Sequence, residues 1–148
     1  MNIKKILSYI LYLLPWFISA IIFKIDTTYY NSLNTPFFAP PPIVFAIIWP
    51  ILYILIAFTI YKVYPNSNNN YKLSLIINYI SNQLYTFFFF TIKSPYLALI
   101  DTIIVLISSI YLYKSTNNID NKTSKLLIPY IIWNTFATIL SLSIALMN

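Results

Sequence analysis

The sequence contains no glycine, cysteine, histidine, glutamate or arginine, and its ionisable side chains are few: nine lysines and three aspartates in 148 residues. Each absence removes a class of chemistry. Phosphate-cradling loops need backbone without a Cβ close to the phosphates, so the nucleotide-binding glycine motifs are excluded. Zinc sites, iron–sulfur clusters, disulfides and thiol nucleophiles need Cys, His or Glu. A Ser–His–acid triad cannot be assembled. For a haem, Tyr and Met are the only conventional axial ligands left. Soluble domains carry roughly a quarter charged residues, whereas this chain has 8%. Such a surface cannot be covered with charge, and intrinsic disorder is excluded by the same composition, because disorder needs low hydrophobicity.

What is present is apolar and aromatic. Hydrophobic residues make up 59% of the chain and aromatic residues 19%. A bilayer core of about 30 Å needs on the order of 20 helical residues. Five such runs can be read, over about 6–23, 43–63, 73–92, 96–113 and 126–147. They are too long and too continuous for the alternating strands of a β-barrel. The expected fold is therefore all-α: a single polytopic membrane domain over 1–148, built as a bundle of five transmembrane helices. No cleavable signal peptide is expected, because the first run lacks small residues at a cleavage point and further spans follow.

The net charge of +6 is distributed between apolar blocks rather than gathered in one patch, which argues for topology rather than nucleic-acid binding. Lys4, Lys5, Lys62, Lys72, Lys114, Lys122 and Lys125 flank one side of the bundle, and Lys24 and Lys93 the other. This asymmetry places the amino terminus in the cytoplasm. The richness in Ile, Asn, Lys and Tyr suggests an AT-rich bacterial genome, and with it the plasma membrane.

Within this frame a few residues invite a functional reading. The loop 24–42 carries Pro36, Pro40, Pro41 and Pro42 among aromatic residues. Proline fixes φ and donates no hydrogen bond, so the segment is stiff. It suits either a lid over a cavity or an interfacial aromatic belt. Asn78 and Asn82 share one face of the third helix, continued by Tyr85, with Gln83 beside them. They suit interhelical hydrogen bonding or a polar patch in a cavity wall. Asp101 lies well inside the fourth span, as a proton-relay group or as a structural hydrogen-bonding partner. Trp49 and Tyr53 share a face of the second helix, and Pro129, Trp133, Ala137 and Ser141 recur at intervals of four on the fifth. An indole above small residues makes a hollow for a planar ligand, or a packing anchor.

The segments TYYNSLNTPFFAPPPIVFAIIWPILY, NYISNQLYTFFFF and LLIPYIIWNTFATILS resemble the TspO family, the tryptophan-rich sensory proteins related to the translocator protein. The likeness runs from about Asp26 onward. It rests on Tyr29, Tyr30, Leu33, Pro36, Phe38, Pro40 and Pro41, then Phe45, Trp49, Leu52 and Tyr53. Gln83 with Leu84 follows, and finally Pro129, Tyr130, Trp133, Phe136 and Ala137. The resemblance implies a five-helix bundle whose first loop caps a ligand cavity. It further implies binding of protoporphyrin-like tetrapyrroles or isoquinoline-type molecules, and light-dependent oxidative breakdown of protoporphyrin, with Trp49 and Trp133 as redox partners. Tyr30, Pro40, Trp49, Tyr53, Asn82, Gln83, Trp133 and Ala137 match ligand-lining positions. No cofactor is required and no metal is expected, the porphyrin being ligand or substrate. Beyond the bilayer and the small molecule, a homodimer is an expected partner. The alternatives are a carrier of tetrapyrroles or small lipophiles, or a non-catalytic sensor.

The sequence also departs from the pattern. Tyr29, Phe38 and Phe90 stand where the family often has Trp, Phe87 and Ser141 where it often has Asn, and Thr35 where a loop lysine is usual. Without glycine, any helix dimer must close on Ala, Ser or Thr.

Overall fold

The computed structural model describes residues 3–148 of the chain; Met1 and Asn2, at the edge of the expected domain, lie outside the described residues. The described residues form helices and no strand, as an all-α bundle requires. Four helical stretches are long and apolar enough to cross a bilayer: Ile3–Ile22, Pro42–Asn66, Pro95–Asn117 and Asn121–Met147. The fifth rod, α5 (Asn69–Thr86), continues through a π-turn at Phe87–Thr91. It is long enough but more polar, since Asn78, Ser81, Asn82 and Gln83 lie buried on its inner side. Its neighbours are α6 (Pro95–Asn117), which in turn packs on α8 (Ile128–Met147), and the upper part of the first rod.

Several boundaries differ from the expected spans, each for a local reason. The first rod is not one helix. It runs as α1 (Ile3–Leu13), a 3-10 turn (Leu14–Phe17) and α2 (Ile18–Ile22). Pro15 has no N–H for the ladder and tightens the turn. The break leaves backbone groups that side chains of α5 satisfy. Tyr79 donates its hydroxyl to the Pro15 carbonyl at 3.0 Å. The Gln83 Oε1 accepts from the Ser19 N–H at 2.9 Å, and its Nε2 donates to the Trp16 carbonyl at 3.3 Å. Below the break α1 packs on α4 (Pro42–Val63), and above it α2 leans on α5.

The segment 24–42 is not wholly extended: it holds the short helix α3 (Thr27–Ser32), capped by Asp26, whose Oδ1 accepts from the Tyr29 N–H at 2.9 Å. Such a cap satisfies one of the donors every helix start leaves free. α5 starts earlier than expected because Asn68 caps it, accepting from the Tyr71 N–H at 2.9 Å. α6 runs on to Asn117. The last rod opens with α7 (Asn121–Ser124) and a 3-10 turn (Lys125–Leu127) before α8. Asp120 anchors that opening by accepting from the Lys122 and Thr123 N–H groups at 3.0 and 3.1 Å. The Thr123 hydroxyl, which donates to Oδ2, and then these N–H groups hold its carboxyl below the usual carboxylate range.

Candidate functional site

Between α2, α4, α5, α6 and α8 the bundle encloses a cavity of about 570 Å³. Its wall is aromatic. Tyr53 lies between two indoles, Trp16 at 5.5 Å and 32° and Trp49 at 5.6 Å and 33° between ring planes. All three side chains border the cavity, and together they give it an aromatic wall. Phe45 on the same helix as Trp49 and Tyr53, and Tyr85, Phe89, Phe90 and Ala137 from other elements, add to the lining. Pro50 also lines it; having no N–H, it leaves the Ala46 carbonyl one turn earlier without its helical donor.

A chain of hydrogen bonds underlies this wall. Tyr53 donates to Asn82 Oδ1 at 2.9 Å, and Asn82 Nδ2 donates to the Tyr130 hydroxyl at 3.2 Å. Tyr130 donates to Asn78 Oδ1 at 3.0 Å, and Asn78 Nδ2 donates to Ser108 Oγ at 3.0 Å and the Val105 carbonyl at 3.2 Å. In a medium without water each of these groups would cost several kcal/mol if left alone. The interhelical reading of Asn78 and Asn82 holds, since these bonds tie α4, α5, α6 and α8 together; Asn82 also lines the cavity.

The roof is the segment 24–42. Asp26 pairs with Lys93 at 3.1 Å, and the Tyr29 hydroxyl donates to the Lys93 carbonyl at 3.1 Å. Lys93 can meet both because it ends the π-turn in the left-handed region (φ 57°), a strained state for a residue with a Cβ. Tyr30 donates to the Pro40 carbonyl at 3.1 Å, stiffening the segment internally. Asn34 and Asn148 bond reciprocally: the Asn34 N–H donates to Asn148 Oδ1 at 3.0 Å, and Asn148 Nδ2 donates to the Asn34 carbonyl at 2.9 Å. Phe37 in this segment is fully exposed.

The expected site residues are divided by this arrangement. Tyr30, Trp49, Tyr53, Asn82 and Ala137 line the cavity. Pro40, Gln83 and Trp133 are not among its lining residues. The Pro40 carbonyl is turned to Tyr30, and Gln83 is spent on the broken first helix. Trp133 stands behind Trp49, edge-on at 6.5 Å and 88°, and is flanked by Phe45 at 5.8 Å and Phe136 at 5.3 Å. Its Nε1 is buried and makes no hydrogen bond among the described residues. The two indoles of the wall come from the first and second rods, since Trp16, only 2% exposed, takes the second place. The signal for it was the pair Pro15-Trp16 inside an apolar span. Asn134 and Thr102 also reach the lining. Asp101 is buried outside it, near Ser81, with Oδ2 unpartnered among the described residues.

Comparison with known proteins decides the family. The TspO/MBR family model matches residues 8–147. The chain belongs to that family. Membership takes in the first rod, and with it Trp16, beyond the stretch from Asp26 on which the resemblance rested. The chain is 34% identical to the tryptophan-rich protein TspO of Bacillus cereus, with 90% of this chain and 89% of the relative covered. It is 36% identical to the membrane protein YtaB of Bacillus subtilis, over 86% and 84% of the two chains. It is 31% identical to the TspO of Archaeoglobus fulgidus, over 100% and 99%. The family and the apolar rods together make it an integral membrane protein.

Proposed function

We propose that this protein binds a flat tetrapyrrole of the protoporphyrin type in the cavity and promotes its light-dependent oxidative breakdown. The observation that carries the reading is the Trp16–Tyr53–Trp49 wall beneath a latched roof. Its volume falls within the roughly 300–1,000 Å³ of small-molecule sites. Several hundred Å² of flat apolar surface leaves water at about 25 cal/mol per Å². Lipid offers much of the same gain, so selectivity must come from stacking and shape, which the three rings supply. No acid–base pair lines the cavity, so the excited pigment and dioxygen supply the oxidative chemistry. Trp49, which shares the wall with Trp16, and Trp133, edge-on to Trp49, are the redox partners, relaying electrons from the excited pigment, which is oxidised, to dioxygen, which is reduced. We further propose that the amino terminus faces the cytoplasm of a bacterial plasma membrane, following the lysine asymmetry.

Titration of the reconstituted protein with protoporphyrin IX, followed by Trp fluorescence in darkness and then under illumination, tests the reading. Quenching in the dark followed by loss of porphyrin absorbance in the light is expected. Trp49→Phe and Trp133→Phe should each slow that loss while the protein remains folded. Unchanged rates in both variants would remove the photochemical role, and binding without loss would leave a sensor or carrier. Absence of quenching would remove the tetrapyrrole.

A further inference from the structure

The cavity has a second feature, its mouth. Of the residues that line it, Ala20, Ile25, Thr27, Ile43 and Ala46 are also exposed on the outside of the bundle. They lie on α2, at the start of the roof segment and on the first turns of α4, so they border one slot. The slot exists because the first rod is broken. Tyr9 of α1 donates to the Ile54 carbonyl at 3.0 Å and sets its ring against Phe58 and Tyr61, which closes the lower half of the α1–α4 seam. Above Pro15 the chain is drawn to α5 by Tyr79 and Gln83. Trp16 and Phe17 still meet Tyr53 of α4, each at 5.5 Å; beyond them the α2–α4 seam has no such hydrogen bond or ring contact among the described residues.

The surroundings of the slot are hydrocarbon-like. Ile21, Ile22 and Ile47 are exposed beside it, at 80%, 65% and 55%. Ala46 lies four residues into α4, about 6 Å below its start at 1.5 Å per residue. Among the described residues neither Lys nor Asp lines the cavity; at the edge of the mouth Asp26, between Ile25 and Thr27, is paired with Lys93. The water-facing end, by contrast, is the latched one, held by the Asp26–Lys93 pair and the Asn34–Asn148 bonds.

We infer that the cavity is loaded sideways, through the α2–α4 slot, from the hydrocarbon on the roof side of the membrane. Its ligands are therefore lipophiles already dissolved in the bilayer, admitted edge-first, and Ala20 and Ala46 set the width they pass. The slot selects for flat molecules whose leading edge carries no charge, because no cation waits inside for a carboxylate. The inference rests on the ligand cavity proposed above, and it is tested partly without any ligand.

The sequence has no cysteine, so Ala46→Cys carries a single nitroxide label. In reconstituted vesicles the label should collide with oxygen, which concentrates in hydrocarbon, and be shielded from a water-soluble nickel chelate. Greater exposure to the chelate would show an aqueous mouth and overturn the inference. In the second arm, protoporphyrin IX is dissolved in the vesicle membrane and its arrival followed by Trp quenching. Ala46→Phe and Ala20→Phe should slow both association and dissociation, by about tenfold or more, which marks a narrowed door. A lost contact would raise dissociation instead. Joining Asn34→Cys to Asn148→Cys with a short thiol cross-linker should leave both rates unchanged. Normal rates in the alanine variants together with arrest in the cross-linked protein would place entry at the roof. Should the unaltered protein fail to quench at all, the tetrapyrrole reading falls while the nitroxide result still decides the slot.

Discussion

At the scale of residues, the site depends on a few polar side chains with no water to replace them. Asn78 accepts from Tyr130 and donates to two groups on α6. Asn78→Ala should therefore destabilise the bundle by about 2 kcal/mol, the cost of leaving buried partners unsatisfied. Exposed Asn70→Ala in the same helix should change stability by less than about 0.5 kcal/mol. Thermal unfolding in one detergent compares the two, and equal midpoints would contradict the role given to Asn78. These residues were legible in the sequence as a spacing of four on one helix face, because period alone fixes the face. Whether Gln83 met a ligand or a backbone was not legible. That depended on the broken ladder at Pro15, which freed a carbonyl and an N–H opposite it. Trp16 was hidden for the same reason: the break at Pro15 resets the face on which its side chain emerges, so the helical period of the first run does not give its direction.

At the scale of elements, the roof is the part most exposed to solution conditions. The Asp26 carboxyl is held below its usual range by the Tyr29 N–H first and by Lys93 second. A carboxylate with a lowered folded value lends its stability above the unfolded value of about 4 and loses it as pH falls through the folded one. The latch should accordingly loosen only below about pH 4. Amide exchange at Tyr29, or proteolysis within 24–42, should accelerate there. Asp26→Asn should already show the faster exchange at neutral pH, and a pH-independent rate would disprove the latch. The stiffness of this segment followed from its prolines, and its position as a lid from the family resemblance. Its anchors did not follow, since Asp26 meets Lys93 and Asn34 meets Asn148 across 67 and 114 positions, and nothing local announces such pairs.

At the scale of the whole molecule, the five rods and the lysine asymmetry were readable from length and charge alone, whereas the hollow was not, because empty space is a property of packing. A ligand that binds only the folded bundle adds stability by mass action, about 2.7 kcal/mol at a hundred times its Kd. Protoporphyrin IX should thus raise the unfolding temperature in nanodiscs with a logarithmic dependence on its concentration; a flat response would argue against an interior site. The clasp between Asn34 and Asn148 joins an early part of the chain to a late one. Translation proceeds from the amino end, so the latch has no counterpart until synthesis has passed Asn148. Until then the segment 24–42 is held by its Lys93 contacts, and its far end is fastened last.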